Sequence, residues 1–147
     1  MGWRPTVKAM TIRTILVDDN KTFLAAVRNF LVMVPDIAIV GEAHDGRAAL
    51  DLAYQTLPDL VLLDIAMPGM NGLEVAQLLN EFLQPPHVIF LSMHDNASYR
   101  AAACELGALG YVGKGDFVAN LIPIIDRLVQ VANGRANRNH GATGRLQ

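Results

Sequence analysis

Three apolar runs in this chain each end in an ionisable residue. They are Ile15-Leu16-Val17 before Asp18-Asp19, Leu60-Val61-Leu62-Leu63 before Asp64, and Gly110-Tyr111-Val112-Gly113 before Lys114. A short apolar run without alternation reads as a strand buried on both faces, as in a parallel sheet covered by helices. The residue that ends such a run emerges at the carboxyl edge of the sheet, where open α/β sheets bind their ligands. Three runs in one sheet would gather Asp18, Asp19, Asp64 and Lys114 into a single cleft. Three carboxylates and an ammonium in one cleft suit a metal ion and a phosphoryl group.

The segments between the runs support a parallel sheet. Met10-Thr11-Ile12-Arg13 leads into the first strand, Ile15–Val17. Asn20 can cap a helix whose apolar stripe is Phe23, Leu24, Val27, Phe30, Leu31 and Val34, and Pro35 ends it. Ile37–Val40 reads as the second strand, stopped by Gly41. Asp45-Gly46 turns into a second helix through Ala48, Leu50, Leu52 and Ala53. Leu60–Leu63 is the third strand. The loop Met67-Pro68-Gly69-Met70-Asn71-Gly72 leads to a helix from Leu73 to about Leu83, with Val75, Leu78, Leu79 and Phe82 inward and Pro85-Pro86 beyond it. Val88–Leu91 is the fourth strand, followed by Ser92. Asp95 or Asn96 caps a helix through Leu106, with Gly107 at its end. Leu109–Val112 is the fifth strand, and a last helix covers about Phe117–Ala132 with Pro123 in its first turns. Strands and helices alternate, and every connection is too long for a hairpin. This pattern predicts right-handed crossovers and a doubly wound five-stranded parallel sheet. One domain is expected over residues 11–132, with residues 1–10 as a dispensable extension. Residues 133–147 contain glycines and arginines and no acid, and are expected to be a flexible tail or linker stub.

Composition narrows the function. The 147 residues are 52% hydrophobic and 18% charged, enough apolar material for a core. A formal net charge of -2 suggests neither a nucleic-acid nor a membrane surface. Cys104 is the only cysteine, so an internal disulfide is excluded and a reducing compartment, the cytoplasm, is expected. In its helix, Cys104 is expected to be a small core residue. No apolar stretch is long enough for a membrane helix, and the N-terminus does not read as a signal peptide.

Each candidate site residue has a plainer reading. Asp18 and Asp19 repel each other unless a cation neutralises them, and Mg²⁺ is usually held by one or two carboxylates. Acids near a helix start are also favourable without any metal. Asp64 could be a metal ligand, a base or a nucleophile that forms an acyl phosphate, or it could merely cap the turn before Pro68-Gly69. Lys114 could grip a phosphoryl oxygen or simply balance charge. Ser92 offers a hydroxyl at the same edge. Tyr111 reads as a half-buried aromatic within the fifth strand. His94 can line the cleft, while His44, His87 and His140 show no ligand spacing. Glycine-rich nucleotide loops are absent, so no motif requires a nucleotide.

Taken together, Asp18-Asp19, Asp64 with Met67-Pro68-Gly69-Met70-Asn71-Gly72, Ser92, Tyr111 and Lys114 resemble the receiver domain of bacterial two-component response regulators. The resemblance covers about Thr11 to Ala132. Leu91-Ser92-Met93-His94-Asp95-Asn96 looks most like the subclass that carries a LuxR-type helix-turn-helix. No such output domain is expected after Ala132 in this chain.

The resemblance implies a flavodoxin-like fold with strand order 2-1-3-4-5. It implies Asp64 as phosphoacceptor, with Mg²⁺ bound by Asp19, Asp64 and the backbone carbonyl of Ala66, and by Asp18 through a water. Ser92 and Lys114 would hold the phosphoryl oxygens. Ser92 and Tyr111 would switch the face made by the fourth helix, fifth strand and fifth helix. The implied partner is a sensor histidine kinase or a phosphotransfer protein, and a phosphorylation-enhanced homodimer is allowed. DNA would be reached only through an output domain outside this chain. A receiver of this kind catalyses only its own phosphorylation and dephosphorylation.

Two positions depart from the usual pattern. Gly115 stands where many relatives have proline, so no cis peptide is expected there. Met93 is bulkier than the usual small residue. A competing resemblance is to haloacid-dehalogenase phosphohydrolases, with Asp18-x-Asn20-x-Thr22 as the first motif and Asp18 as nucleophile, Ser92 as the second and Lys114-Gly115-Asp116 as the third. There, Asn20 replaces the general-acid Asp and Asn120 stands where another metal-site Asp is expected.

Overall fold

The computed structural model describes the backbone of residues 11–145 and the side chains of residues 11–134. Eleven elements follow in order: β1 Ile12–Val17, α1 Lys21–Leu31, β2 Ile37–Ala43, α2 Gly46–Thr56, β3 Leu60–Asp64, α3 Gly72–Leu79, β4 His87–Ser92, α4 Ala97–Glu105, β5 Gly110–Gly113, a single 3-10 turn at Lys114–Asp116, and α5 Phe117–Arg145. All strand pairs are parallel, and the sheet order is β2-β1-β3-β4-β5. This is the doubly wound, flavodoxin-like arrangement expected from the sequence.

Period-2 alternation divides the core between the two faces of the sheet. Ile15, Val17, Val61, Leu63 and Phe90 face the side covered by α2, α3 and α4. Leu16, Leu62, Ile89, Leu91 and Val112 face α1 and α5, where Leu24, Val27, Leu31, Leu121 and Ile125 meet them. Because both faces are covered, the strands carry apolar residues at nearly every position.

Four of the five α-helices begin with an Asx cap at the carboxyl edge of the sheet. Asn20, Asp45, Asn71 and Asn96 accept hydrogen bonds from the backbone N–H groups of Phe23, Ala48, Glu74 and Tyr99. Each such cap is worth about 1 kcal/mol. They fix the loops that surround the ends of β1 to β4.

Several expectations need correction. Gly41 does not stop β2, which runs on to Ala43. Thr14 pairs with Ile39 and Ile15 with Gly41, so Val40 is the extra residue of a bulge. A Cβ at Gly41 would come within 2.7 Å of Leu52 Cδ1, and only glycine passes there without repacking. Helix α3 ends at Leu79 rather than near Leu83. Asn80 is its C-cap: the backbone N–H still donates to the Ala76 carbonyl, and Nδ2 donates to the Leu106 carbonyl. Leu78 is partly exposed, while Val75, Ala76 and Leu79 are buried. Cys104 is exposed, and its neighbour Ala103 takes the core position. The backbone of α5 continues through residues 133–145, past the expected end near Ala132. No proline interrupts that stretch. Leu146, Gln147 and the expected extension of residues 1–10 lie outside the described residues.

Candidate functional site

The register of the sheet places the chemistry. Val17 pairs with Leu63, so Asp18 and Asp64 leave β1 and β3 at the same level. Asp64 pairs with Leu91, and Ser92 pairs with Gly113. Ser92 therefore stands one step beyond the level of Asp64, and Lys114 one step beyond Ser92. Asp18, Asp64, Ser92 and Lys114 are buried, whereas Asp19 is exposed.

Lys114 spans the acids. Its Nζ lies 2.7 Å from Asp18 Oδ2 and 3.3 Å from Asp64 Oδ1. The ammonium also sits 4.8 Å from the centre of the Phe23 ring, and that ring packs edge-to-face on Phe117 at 5.3 Å. Asp18 Oδ1 accepts from the Asn20 backbone N–H at 2.8 Å. Asp18 Oδ2 has no aligned hydrogen-bond donor, so the nearby ammonium supplies charge but no directed bond. Among the described residues, Asp18, Asp19 and Asp64 form the cluster whose carboxylate oxygens lie within 4.8 Å of one another.

One ammonium does not neutralise three carboxylates. Burial, followed by the charge of Asp18, pushes the Asp64 carboxyl up to about 7. Lys114 opposes this shift, and a hydrogen bond with Asp19 adds to it. A buried carboxylate oxygen without an aligned donor, beside an all-oxygen donor set of uncompensated charge, fits a hard divalent cation such as Mg²⁺. Ala66 lies in the loop directly after this edge, and its side chain is exposed.

The remaining candidates lie just beyond this cluster. Ser92 Oγ donates to the His94 carbonyl at 2.9 Å, and the His94 N–H points back to Ser92 Oγ at 3.3 Å. Tyr111 is half-buried, and its hydroxyl donates to the same His94 carbonyl at 3.0 Å. The side chains of Met93 and His94 are exposed. His44 Nδ1 lies 3.2 Å from the Asp18 carbonyl, a contact with no signal in the sequence.

Two further residues escaped the sequence reading as site residues. Phe23, read only as part of an apolar stripe, covers the Lys114 ammonium. Gly72, read as the end of a loop, touches the backbone of Asp64 so closely that a Cβ there would lie 2.1 Å from the Asp64 carbonyl oxygen. A groove of about 820 Å³ lies at the opposite, amino edge of the sheet, beside Ile12, Asp59 and His87, and holds none of these groups.

The family described as "Response regulator receiver domain" matches residues 14–125. The chain belongs to this family. It is 35% identical over 124 residues to the probable transcriptional regulatory protein NarL of Mycobacterium tuberculosis (strain H37Rv), covering 84% of this chain and 56% of that protein. It is 38% identical over 100 residues to the nitrate/nitrite response regulator protein NarL of Escherichia coli (strain K12), covering 68% of this chain and 46% of that one. The chain thus spans about half the length of these curated relatives. The solved signal receiver domain of the putative response regulator NarL from M. tuberculosis superposes with a TM-score of 0.74 at 34% identity, covering 85% of this chain and 98% of that one. The protein is therefore a receiver domain, a signalling module of the NarL/LuxR type. No helix among its described residues is long and apolar enough to cross a membrane.

Proposed function

We propose that this receiver is a phosphorylation switch in a two-component phosphorelay, with Asp64 as phosphoacceptor. The supporting observation is the double ion pair that Lys114 makes with Asp18 and Asp64 across three strands. In this reading a sensor histidine kinase or a phosphotransfer protein presents a phosphohistidine at the carboxyl edge of the sheet. An Asp64 carboxylate oxygen attacks phosphorus as the P–N bond breaks, and the bonding pair leaves with the imidazole nitrogen. Only the deprotonated carboxylate can attack, so the proton that burial favours on Asp64 must leave first.

Mg²⁺ would be held by Asp19, Asp64 and the Ala66 carbonyl, with Asp18 acting through a water. When bound, it supplies the positive charge that lets an anion approach a polyanion. Lys114 holds one phosphoryl oxygen with the ammonium that now spans Asp18 and Asp64. Ser92 supplies a hydroxyl proton to another, giving up its bond to the His94 carbonyl. Ser92 and Tyr111 then carry the state of Asp64 to the face formed by α4, β5 and α5, as one end of a two-state equilibrium.

The haloacid-dehalogenase reading fares worse. Asn20, at its general-acid position, caps α1 by accepting from the Phe23 N–H. Asp18, its nucleophile, is buried against Lys114. Asn120, at its additional metal-site position, is an exposed residue of α5.

The transcription regulators among its relatives suggest an output in transcription control, exerted through a DNA-binding domain outside these residues, or else through protein contact alone. A cytoplasmic location and a phosphorylation-enhanced homodimer complete the reading. Incubation with acetyl phosphate and Mg²⁺, followed by intact mass measurement, tests it. One added phosphoryl group is expected on the wild type and none on Asp64→Ala. An undiminished adduct on the variant, or p-nitrophenyl phosphate turnover that survives the substitution, would overturn the assignment of Asp64.

A further inference from the structure

The His94 carbonyl is shared by two side chains from different strands. Ser92 Oγ donates to it at 2.9 Å and the Tyr111 hydroxyl at 3.0 Å. A hydroxyl carries a single proton. If Ser92 gives its proton to another acceptor, the carbonyl retains only Tyr111.

Tyr111 itself lies on β5, the edge strand of the sheet. Its ring packs on the side covered by α2, α3 and α4, with no further strand beyond it to hold it. Arg100, at the end of the first turn of α4, fills that role. Its guanidinium carbon lies 4.6 Å from the centre of the Tyr111 ring. Its Nε donates to Asp95 Oδ1 at 2.7 Å, and Asp95 directly follows His94 in the β4–α4 loop. One planar cation therefore ties α4 both to the edge strand and to the loop bearing the shared carbonyl. The Arg100–Asp95 pair is well exposed, and on its own such a pair contributes little. Its effect is to aim the guanidinium, whose flat face stacks on an aromatic ring in a way a lysine ammonium does not reproduce.

We propose that Arg100 is a positioning residue of the switch, clamping Tyr111 against the His94 carbonyl so that this carbonyl passes to Tyr111 alone when Ser92 turns toward a phosphorylated Asp64. The proposal rests on the reading of Asp64 as phosphoacceptor. It assigns to α4 a side chain that senses the change without touching the phosphoryl group.

The test labels the protein with 3-fluorotyrosine and records ¹⁹F spectra with and without acetyl phosphate and Mg²⁺. The phosphoryl content of the same samples is measured by intact mass. The chain has three tyrosines, and Tyr111→Phe identifies the relevant resonance. In Arg100→Ala the ratio of anchored to free Tyr111 is expected to fall about two- to fivefold, the range an exposed cation–π contact supports. The mass adduct and the circular dichroism spectrum should match the wild type. Arg100→Lys should fall between the two. Wild-type Tyr111 resonances in Arg100→Ala, in both states, would overturn the proposal. Absence of an adduct on the wild type would instead refute the assignment of Asp64, while the unphosphorylated spectra would still decide whether Arg100 holds Tyr111.

Discussion

Replacing Asp64 with Asn should stabilise the metal-free protein, and the gain should depend on pH in a predictable direction. Burial and the neighbouring Asp18 charge push the Asp64 carboxyl up to about 7 in the folded state. In the unfolded chain an aspartate titrates near 3.9. Between these values the native state holds a proton that the unfolded state has released, so stability falls as pH rises. Below about pH 4 both states are protonated and the carboxyl contributes nothing. Above about pH 7 both are ionised and the full penalty applies. Three pH units at about 1.36 kcal/mol each set an upper bound of about 4 kcal/mol. Relaxation of the site around the ionised carboxylate is expected to reduce this penalty to about 2 kcal/mol. Asn keeps the shape of the protonated acid and cannot ionise. Urea denaturation in chelator from pH 5 to pH 9 should show the variant pulling ahead of the wild type as pH rises, at an unchanged m-value. Other groups, such as Glu42, whose hydrogen-bonded pairing with Arg28 lowers its pKa, contribute equally to both proteins and cancel in the difference. Mg²⁺ should close the gap at pH 8 by binding the native wild type. A stability difference that stays flat with pH, or one that shrinks as pH rises, would show that Lys114 rather than burial governs the Asp64 proton.

Other substitutions probe the same edge. Gly72→Ala would place a Cβ 2.1 Å from the Asp64 carbonyl oxygen, a backbone atom that no rotamer change can move aside. A loss of about 3 kcal/mol by urea denaturation, together with weaker Mg²⁺ binding by calorimetry, is expected; unchanged values would show that α3 does not position Asp64. Lys114→Met leaves Asp18 and Asp64 buried without their cation. It should cost about 3 kcal/mol in chelator at pH 8 and show a larger Mg²⁺-induced rise in Tm than the wild type; an equal rise would mean that Lys114 and the metal do not compete for the same charge.

The strands and the acids at their ends were legible because two simple signals coincide there. An apolar run marks a buried strand, and a single ionisable residue marks where it emerges. Asx residues before the helices were equally readable, since Asn20 and Asn96 do what their side chains favour. Where the sequence misled, a local pattern lacked the information. Helix α4 carries Ala101-Ala102-Ala103-Cys104, a run of small residues without a stripe, so nothing local says that Ala103 rather than Cys104 faces inward. The apolar period of α3 persists through Phe82, although the helix ends at Leu79; the Asn80 side chain there engages the Leu106 carbonyl, a distant partner that no local pattern discloses. Gly41 looks like a strand terminator until the partner strand is known; beside Thr14 and Ile15 it follows a bulge within a longer strand.

The Asp18-Asp19 pair shows how far strand logic reaches. Read in sequence, the two acids are equivalent, a repelling pair that calls for a cation. In the fold they differ sharply, since Asp18 is fully buried and Asp19 is exposed. The division follows from the pleat: Val17 faces the α2–α3–α4 side, so the next side chain points to the opposite face, toward Lys114, and the one after it turns out to solvent. Asp18 therefore fixes the lysine and raises the Asp64 pKa, while Asp19 keeps a carboxylate accessible from outside. Exchanging the two roles would require a one-residue slip of β1 against β3. That slip would also turn Ile15 and Val17 out of one core layer and Leu16 out of the other. The hydrophobic pattern of the first strand thus sets which acid meets the lysine and which meets water, so the charge distribution of the site follows from the packing of residues that carry no charge.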